Sequence, residues 1–187
     1  MKYRILHYGE AELRKSCEPI KEITEEIKQL VSDMFETMYE AKGVGLAGPQ
    51  VGKNIRLAII DIGDDPIVMI NPEIIKKSGK ETCLEGCLSF PGLSEKVERA
   101  LKVTAEYTDL SGDTYEIEAE GLLARAIQHE LDHLDGIVFV DRISKARKIQ
   151  IKNDLEAIKN GETLYEEEYE DEYDEEYDDE YAEDLEI

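Results

Sequence analysis

The stretch Leu122 to Asp135 limits what this 187-residue chain can fold into more than any other segment. It is apolar around most of a helical circumference and ends at Gly136, yet it carries His129, Glu130 and His133. A helix of that kind belongs in the interior, closed by its glycine. Two imidazoles and a carboxyl are costly to bury without partners, so something must meet them there. Residues four apart lie on one helix face about one turn apart, so both rings can reach a single ion while Glu130 stands beside it. The alternative is a pair of buried histidines satisfied by hydrogen bonds alone.

A hydrolytic metal site needs a third protein ligand and an open position for water. Cys87 is the leading candidate, in the segment Glu85-Gly86-Cys87-Leu88-Ser89-Phe90-Pro91-Gly92, which is too rich in Gly and Pro for an uninterrupted element. Gly86 permits close backbone approach. Taken alone, a cysteine reads as a small buried hydrophobe, and Cys83 and Cys17 are the rivals. Three cysteines are an odd number, and Met1-Lys2-Tyr3-Arg4 shows no signal-peptide apolar stretch. The expectation is therefore a cytoplasmic protein with reduced thiols rather than a disulfide framework. No apolar run approaches the roughly 18 residues that span a bilayer, so no membrane partner is expected.

Apolar residues recur at helical spacing from Thr24 to Ala41, with Glu25 and Glu26 in the first turn and Gly43 just beyond. A glycine-rich loop, Gly43-Val44-Gly45-Leu46-Ala47-Gly48-Pro49-Gln50, leads into a β-branched run from Ile55 to Ile62. A second run, Ile67 to Ile70, is ended by Asn71-Pro72. Leu101 to Asp109 and Thr114 to Glu120 read as a hairpin turning at Ser111-Gly112-Asp113. Ser144 to Asn160 reads as a further helix stopped by Gly161 and decorated with Lys and Arg. The reading is an α+β domain over residues 1–164, with antiparallel strands around the buried helix.

Three segments in order, Gly43 to Gln50, Glu85 to Ser89 and Gln128-His129-Glu130-Leu131-Asp132-His133-Leu134, resemble the three motifs of the bacterial peptide deformylases. The resemblance runs from about Ile5 to Gly161 and fits the compact type without long insertions. One position departs from the pattern: Gly48 stands where an alanine is more usual. The resemblance implies an enzyme that removes the N-formyl group from the initiator methionine of nascent polypeptides, releasing formate. It also implies one divalent ion, iron(II) in the cell and zinc or nickel in many preparations, held at the positions of Cys87, His129 and His133. The implied fold packs the histidine-bearing helix against antiparallel sheets.

The chemistry can also be argued from the residues. A divalent ion with an open site lowers the pKa of bound water from about 16 to near 7, and Glu130 can accept that proton and deliver it to the departing amine. Charge developing on the formyl oxygen needs fixed donors, for which Gln50 offers a side-chain amide and Leu88 a backbone N–H. Gly45 can hydrogen-bond an extended peptide, and the pair Gly43 and Gly45 lets the backbone approach it. Val44, Leu122 and Ala126 are candidate walls for a methionine pocket, with core packing as the plain alternative. Glu85 and Arg99 are expected to pair, and Gln128 and Asp132 to orient the imidazoles or face other polar groups.

The net charge of −23 is concentrated at one end, because residues 165–187 hold 15 acids and no base, leaving −8 for residues 1–164. That tail, with tyrosine at every fourth position from Tyr165 to Tyr181, is expected to be disordered, and no DNA partner is expected. The resemblance suggests ribosome contact through the basic helix at 144–160, which the acidic extension puts in competition with itself. Two rivals stand: a metallopeptidase, which would recruit a third ligand other than cysteine, and a structural metal module closed by a fourth ligand such as Cys83 or Asp132.

Overall fold

The structure is a computed structural model that describes residues 2–63 and 65–164; the expectation for the tail at 165–187 lies outside the described residues. Helix α1 spans Glu25–Glu40. Thr24 caps it by accepting from the Ile27 N–H at 3.4 Å, and Glu25 and Glu26 sit at the positive end of the helix dipole. Its buried stripe is Leu30, Val31, Met34 and Met38. The last turn closes where Lys42 and Gly43 donate to the carbonyls of Tyr39 and Met38, at 3.0 and 2.9 Å. Lys42 takes the left-handed backbone of that closure, with φ 55°.

The glycine-rich loop is more ordered than the sequence suggested. It contains strand β1, Gly45–Ala47, and a single 3-10 turn at Gly48–Val51. There follow β2 (Leu57–Ile60), β3 (Ile67–Ser78), β4 (Glu81–Gly86), β5 (Ser94–Arg99), β6 (Lys102–Thr108) and β7 (Thr114–Glu120). Five of them form one antiparallel sheet in the order β1-β2-β3-β6-β7, while β4 and β5 form a separate two-stranded sheet. The hairpin β6–β7 turns as expected, with Asp109 N–H on the Asp113 carbonyl at 2.9 Å.

The strand expected to stop at Asn71-Pro72 instead runs on to Ser78. A register shift against β6 between Ile70 and Glu73 absorbs the missing proline N–H, as a bulge does. Asn71, at φ 50°, is held there because its side-chain amide exchanges two 2.8 Å hydrogen bonds with the Ile20 backbone.

Helix α2, Gly121–Leu134, packs on the large sheet and is buried from Ala124 to Leu134. Its end closes on Gly136 as expected: Gly136 and Ile137 donate to the carbonyls of His133 and Asp132 at 3.1 and 2.9 Å. No side chain fits at Gly136, where a Cβ would lie 2.7 Å from the Arg14 carbonyl oxygen. The single helix expected over 144–160 is two, α3 at Lys145–Gln150 and α4 at Lys152–Lys159. The break falls at buried Ile151, and Ile151, Leu155 and Ile158 join one apolar cluster with Phe90 and Phe139. No described helix is long and apolar enough to cross a membrane.

Candidate active site

Buried α2 carries His129, Glu130 and His133 on the side that faces the end of β4, from which Cys87 emerges. One ligand atom from each of Cys87, His129 and His133 lies within 4.8 Å of the others, and the Cys87 sulfur is 3.2 Å from His133 Nε2. His129 turns its Nδ1 to Glu85 Oε1 at 2.7 Å, which leaves Nε2 as its ligand atom. One thiol and two imidazole nitrogens make a donor set that suits zinc, iron or nickel. Cys83 sits back in β4 opposite Val97, and Asp132 is engaged elsewhere, so the group among the described residues has three members.

The surroundings favour a cation among these three. Burial alone would push the His129 ring toward neutrality, but the Cys87 sulfur and the Glu85 carboxylate outweigh it and hold its pKa well above the ordinary range. The same negative neighbours attract a metal ion. Burial, and then the positive charges of His129 and Arg99, push His133 well below that range, the neutral state a ligand needs.

Glu85 is the hub of the outer shell. Burial would raise its carboxyl, yet hydrogen bonds from Arg99 and His129 hold it well below the usual carboxylate range. Arg99 grips it with two nitrogens, one at 2.9 Å, and Arg125 adds a third contact at 3.1 Å. Sequence reading paired Glu85 with Arg99 but missed its contact with His129. That contact depends on how β4 lies against α2, and Cys87 lies beyond the end of β4, so strand alternation does not give it. Gln128 and Asp132 do not orient the rings. Gln128 pairs with the backbone of Ala100 at 2.9 and 3.0 Å, and Asp132 binds Arg99 and Arg142, because each side chain leaves α2 away from the ligand face.

Glu130 is the one buried carboxyl here without a cation in contact; its Oε2 has no hydrogen-bond partner among the described residues. Burial pushes its pKa up to about 7. Its Oε1 lies where a Cβ on Gly45 would be, only 2.3 Å from that ideal position, so glycine is required there.

The pairing of β1 fixes what its free edge offers. Asp61 N–H donates to the Val44 carbonyl at 2.9 Å, so by antiparallel alternation Leu46 also bonds to β2, while Gly45 and Ala47 point their backbone groups outward. The Ala47 N–H is taken by Gln50 Oε1 at 2.8 Å. That bond sets the orientation of the Gln50 amide and aims its NH2 at the Cys87 sulfur, 3.6 Å away, and at Ser89 Oγ, 3.3 Å away. The Leu88 N–H has no acceptor among the described residues. Gly43 and Leu88 close the floor between the two segments, with a Cβ on Gly43 meeting Leu88 Cδ1 at 2.6 Å.

These groups surround a cleft of about 850 Å³. Val44, Gly45, Leu122 and Ala126 all line it together with Gln50, Cys87, His129 and Glu130. Val44 and Leu122 are 45% and 54% exposed, so both leave apolar surface open to the cleft. Exposed Leu84, on β4, joins them and was not foreseen, because no element was assigned to residues 81–84 from the sequence.

The profile of the polypeptide deformylase family matches residues 2–149. Peptide deformylase of Clostridium botulinum is 54% identical over 141 residues, covering 75% of this chain and 96% of that protein. That of Acidobacterium capsulatum is 50% identical over 149 residues, covering 77% and 88%. The crystal structure of a peptide deformylase from Legionella pneumophila superposes with a TM-score of 0.81 at 42% identity, covering 86% of this chain and 96% of that one.

Proposed function

The chain belongs to the polypeptide deformylase family and is a hydrolase that removes the N-formyl group from nascent polypeptides; we propose that Cys87, His129 and His133 hold the divalent ion for this reaction and that Glu130 moves the proton. The observation that carries the assignment is the convergence of one sulfur and two ring nitrogens within 4.8 Å beside Glu130, a buried carboxyl whose Oε2 has no partner among the described residues. When bound, such an ion supplies a Lewis acid that polarises the formyl carbonyl and makes water acidic near neutral pH.

The protein's own groups supply the rest. Glu130 accepts a proton from the attacking water and returns it to the amine as the formyl C–N bond breaks, giving formate and a free N-terminus. The Gln50 NH2 and the Leu88 N–H face the oxygen that gains charge, each worth roughly a hundred- to thousandfold in rate. Gly45 offers its outward N–H and C=O to the peptide backbone, which adds to β1 as a further strand. Val44, Leu122 and Ala126 receive the methionine side chain.

Iron(II) is the ion we assign in the cell, in a catalytic domain spanning 1–164 that works in the cytoplasm. Ribosome contact falls to the basic side of α3 and α4, where Lys145, Lys152 and Lys159 remain for phosphates while Arg147 is committed to Glu95 at 2.7 Å. The test is formate release from a formyl-methionyl peptide by anaerobically purified protein, with metal content measured on the same sample. Release in proportion to bound metal is expected. Equal activity in metal-free protein, or in Cys87→Ser protein, overturns the assignment.

A further inference from the structure

The cleft carries few charges, and most are already matched. Glu85 and Arg125 bind each other, Arg99 holds Glu85 as well, and Glu130 belongs to the reaction centre. Lys42 is different: it lines the same cleft, is exposed, and makes no ion pair or hydrogen bond through its side chain among the described residues. It also occupies a left-handed backbone, φ 55°, that glycine adopts without strain and a lysine does not. That conformation belongs to the closing turn of α1, and it sets the unpaired lysine at the lip of the cleft, beside Gly43 and Val44.

The direction of β1 says what Lys42 would meet. Gln50, whose amide faces the Cys87 sulfur, bonds to Ala47 at the C-terminal end of β1, so a peptide with its formyl group at that end runs antiparallel to β1. Its following residues then pass Gly45 and Val44 and reach the lip of the cleft at Lys42, where the chain leaves the strand for the closing turn of α1. We propose that Lys42 is a specificity-determining residue that favours acidic side chains at the second and third positions of the formylated peptide. This rests on the deformylase reading above.

The experiment compares kcat/KM for formyl-Met-Asp-Glu and formyl-Met-Lys-Lys peptides of equal length with amidated C-termini, using the full chain. At low salt the acidic peptide is expected to be favoured about two- to fivefold per charge that reaches Lys42, chiefly through KM, with the ratio shrinking as salt is raised. Lys42→Glu should reverse the ratio and Lys42→Gly should flatten it. A ratio that is the same in wild type and Lys42→Glu overturns the proposal while leaving the enzyme a deformylase. Failure of the wild type to release formate from either peptide overturns the underlying reading instead.

Discussion

Glu85 Oε1 lies 2.7 Å from His129 Nδ1, and this contact decides which nitrogen of His129 faces Cys87. A ring whose far nitrogen is held by a carboxylate presents its near nitrogen in a fixed orientation and is the more basic for it. Because Arg99 and Arg125 also converge on Glu85, Glu85→Ala would leave two buried guanidinium groups facing an empty position. The variant is expected to lose about 3–5 kcal/mol of stability and roughly 10–100-fold in metal affinity. Urea unfolding and competition with a chelator would measure the two separately, and unchanged metal affinity would show that the contact does not tune the ligand.

Glu130→Gln keeps the shape of the side chain and removes its ability to take a proton. Turnover should fall by about 10²–10⁴ while the protein retains its metal. Metal analysis beside a formate-release assay checks both, and normal turnover would refute the proton-transfer role.

Much of this site was legible in the sequence because its chemistry is local. His129, Glu130 and His133 share one face of one helix, and the periodicity that predicts the helix also predicts that face. Cys87 was reached through its glycine neighbour and its company of motifs. What could not be read was pairing between distant segments. The free edge of β1, the aim of the Gln50 amide and the turn of Glu85 toward His129 all depend on which strand lies beside which. Strand β5 escaped notice because Ser94 to Arg99 alternates buried and exposed with charged residues on both faces, Glu95 and Arg99 being buried through ion pairs with Arg147 and Glu85. A hydrophobicity pattern has no way to register burial of that kind.

Gln50 is tied on one side to Ala47 N–H and on the other faces Cys87 and Ser89. Replacing it by alanine removes a donor that acts on the developing charge, so kcat should fall by about 10²–10³ with little change in KM. Steady-state kinetics on one formyl-methionyl peptide would show it. A rise in KM at constant kcat would make Gln50 a binding residue only.

Gly48, at the position where the family more often has alanine, has no room for a methyl group in this chain. A Cβ there would lie 2.6 Å from the Lys53 carbonyl oxygen and 2.9 Å from that of Ile55, both backbone atoms with little freedom to withdraw. Gly48→Ala is expected to cost about 1–3 kcal/mol, read as a lower urea midpoint at unchanged slope. A neutral result would mean that the 53–55 segment adjusts at no cost.

Asp141 anchors the turn after α2 to the N-terminal segment by accepting from Arg14, from Lys148 at 2.8 Å and from the Val138 N–H. Burial would raise its carboxyl, but these bonds, Arg14 first, bring it down to about 2. Since the folded value lies below the unfolded value of about 4, the stabilisation is fully present above that pH and disappears as pH falls toward 2. Arg14→Ala should therefore lower the melting temperature at pH 6, by about 1 kcal/mol or less in equivalent stability, and have almost no effect near pH 2. An equal loss at both pH values would show that Arg14 acts by packing rather than by charge.

The two-stranded sheet shares no main-chain ladder with the five-stranded one, so the arm that delivers the sulfur is fastened to the body largely by side chains such as Glu85, Arg99 and Arg125. The nitrogens sit on α2, which is buried from Ala124 to Leu134. Warming or mild denaturant should therefore loosen that arm first and silence the enzyme while most of its architecture still stands, so that inactivation and melting are two events rather than one.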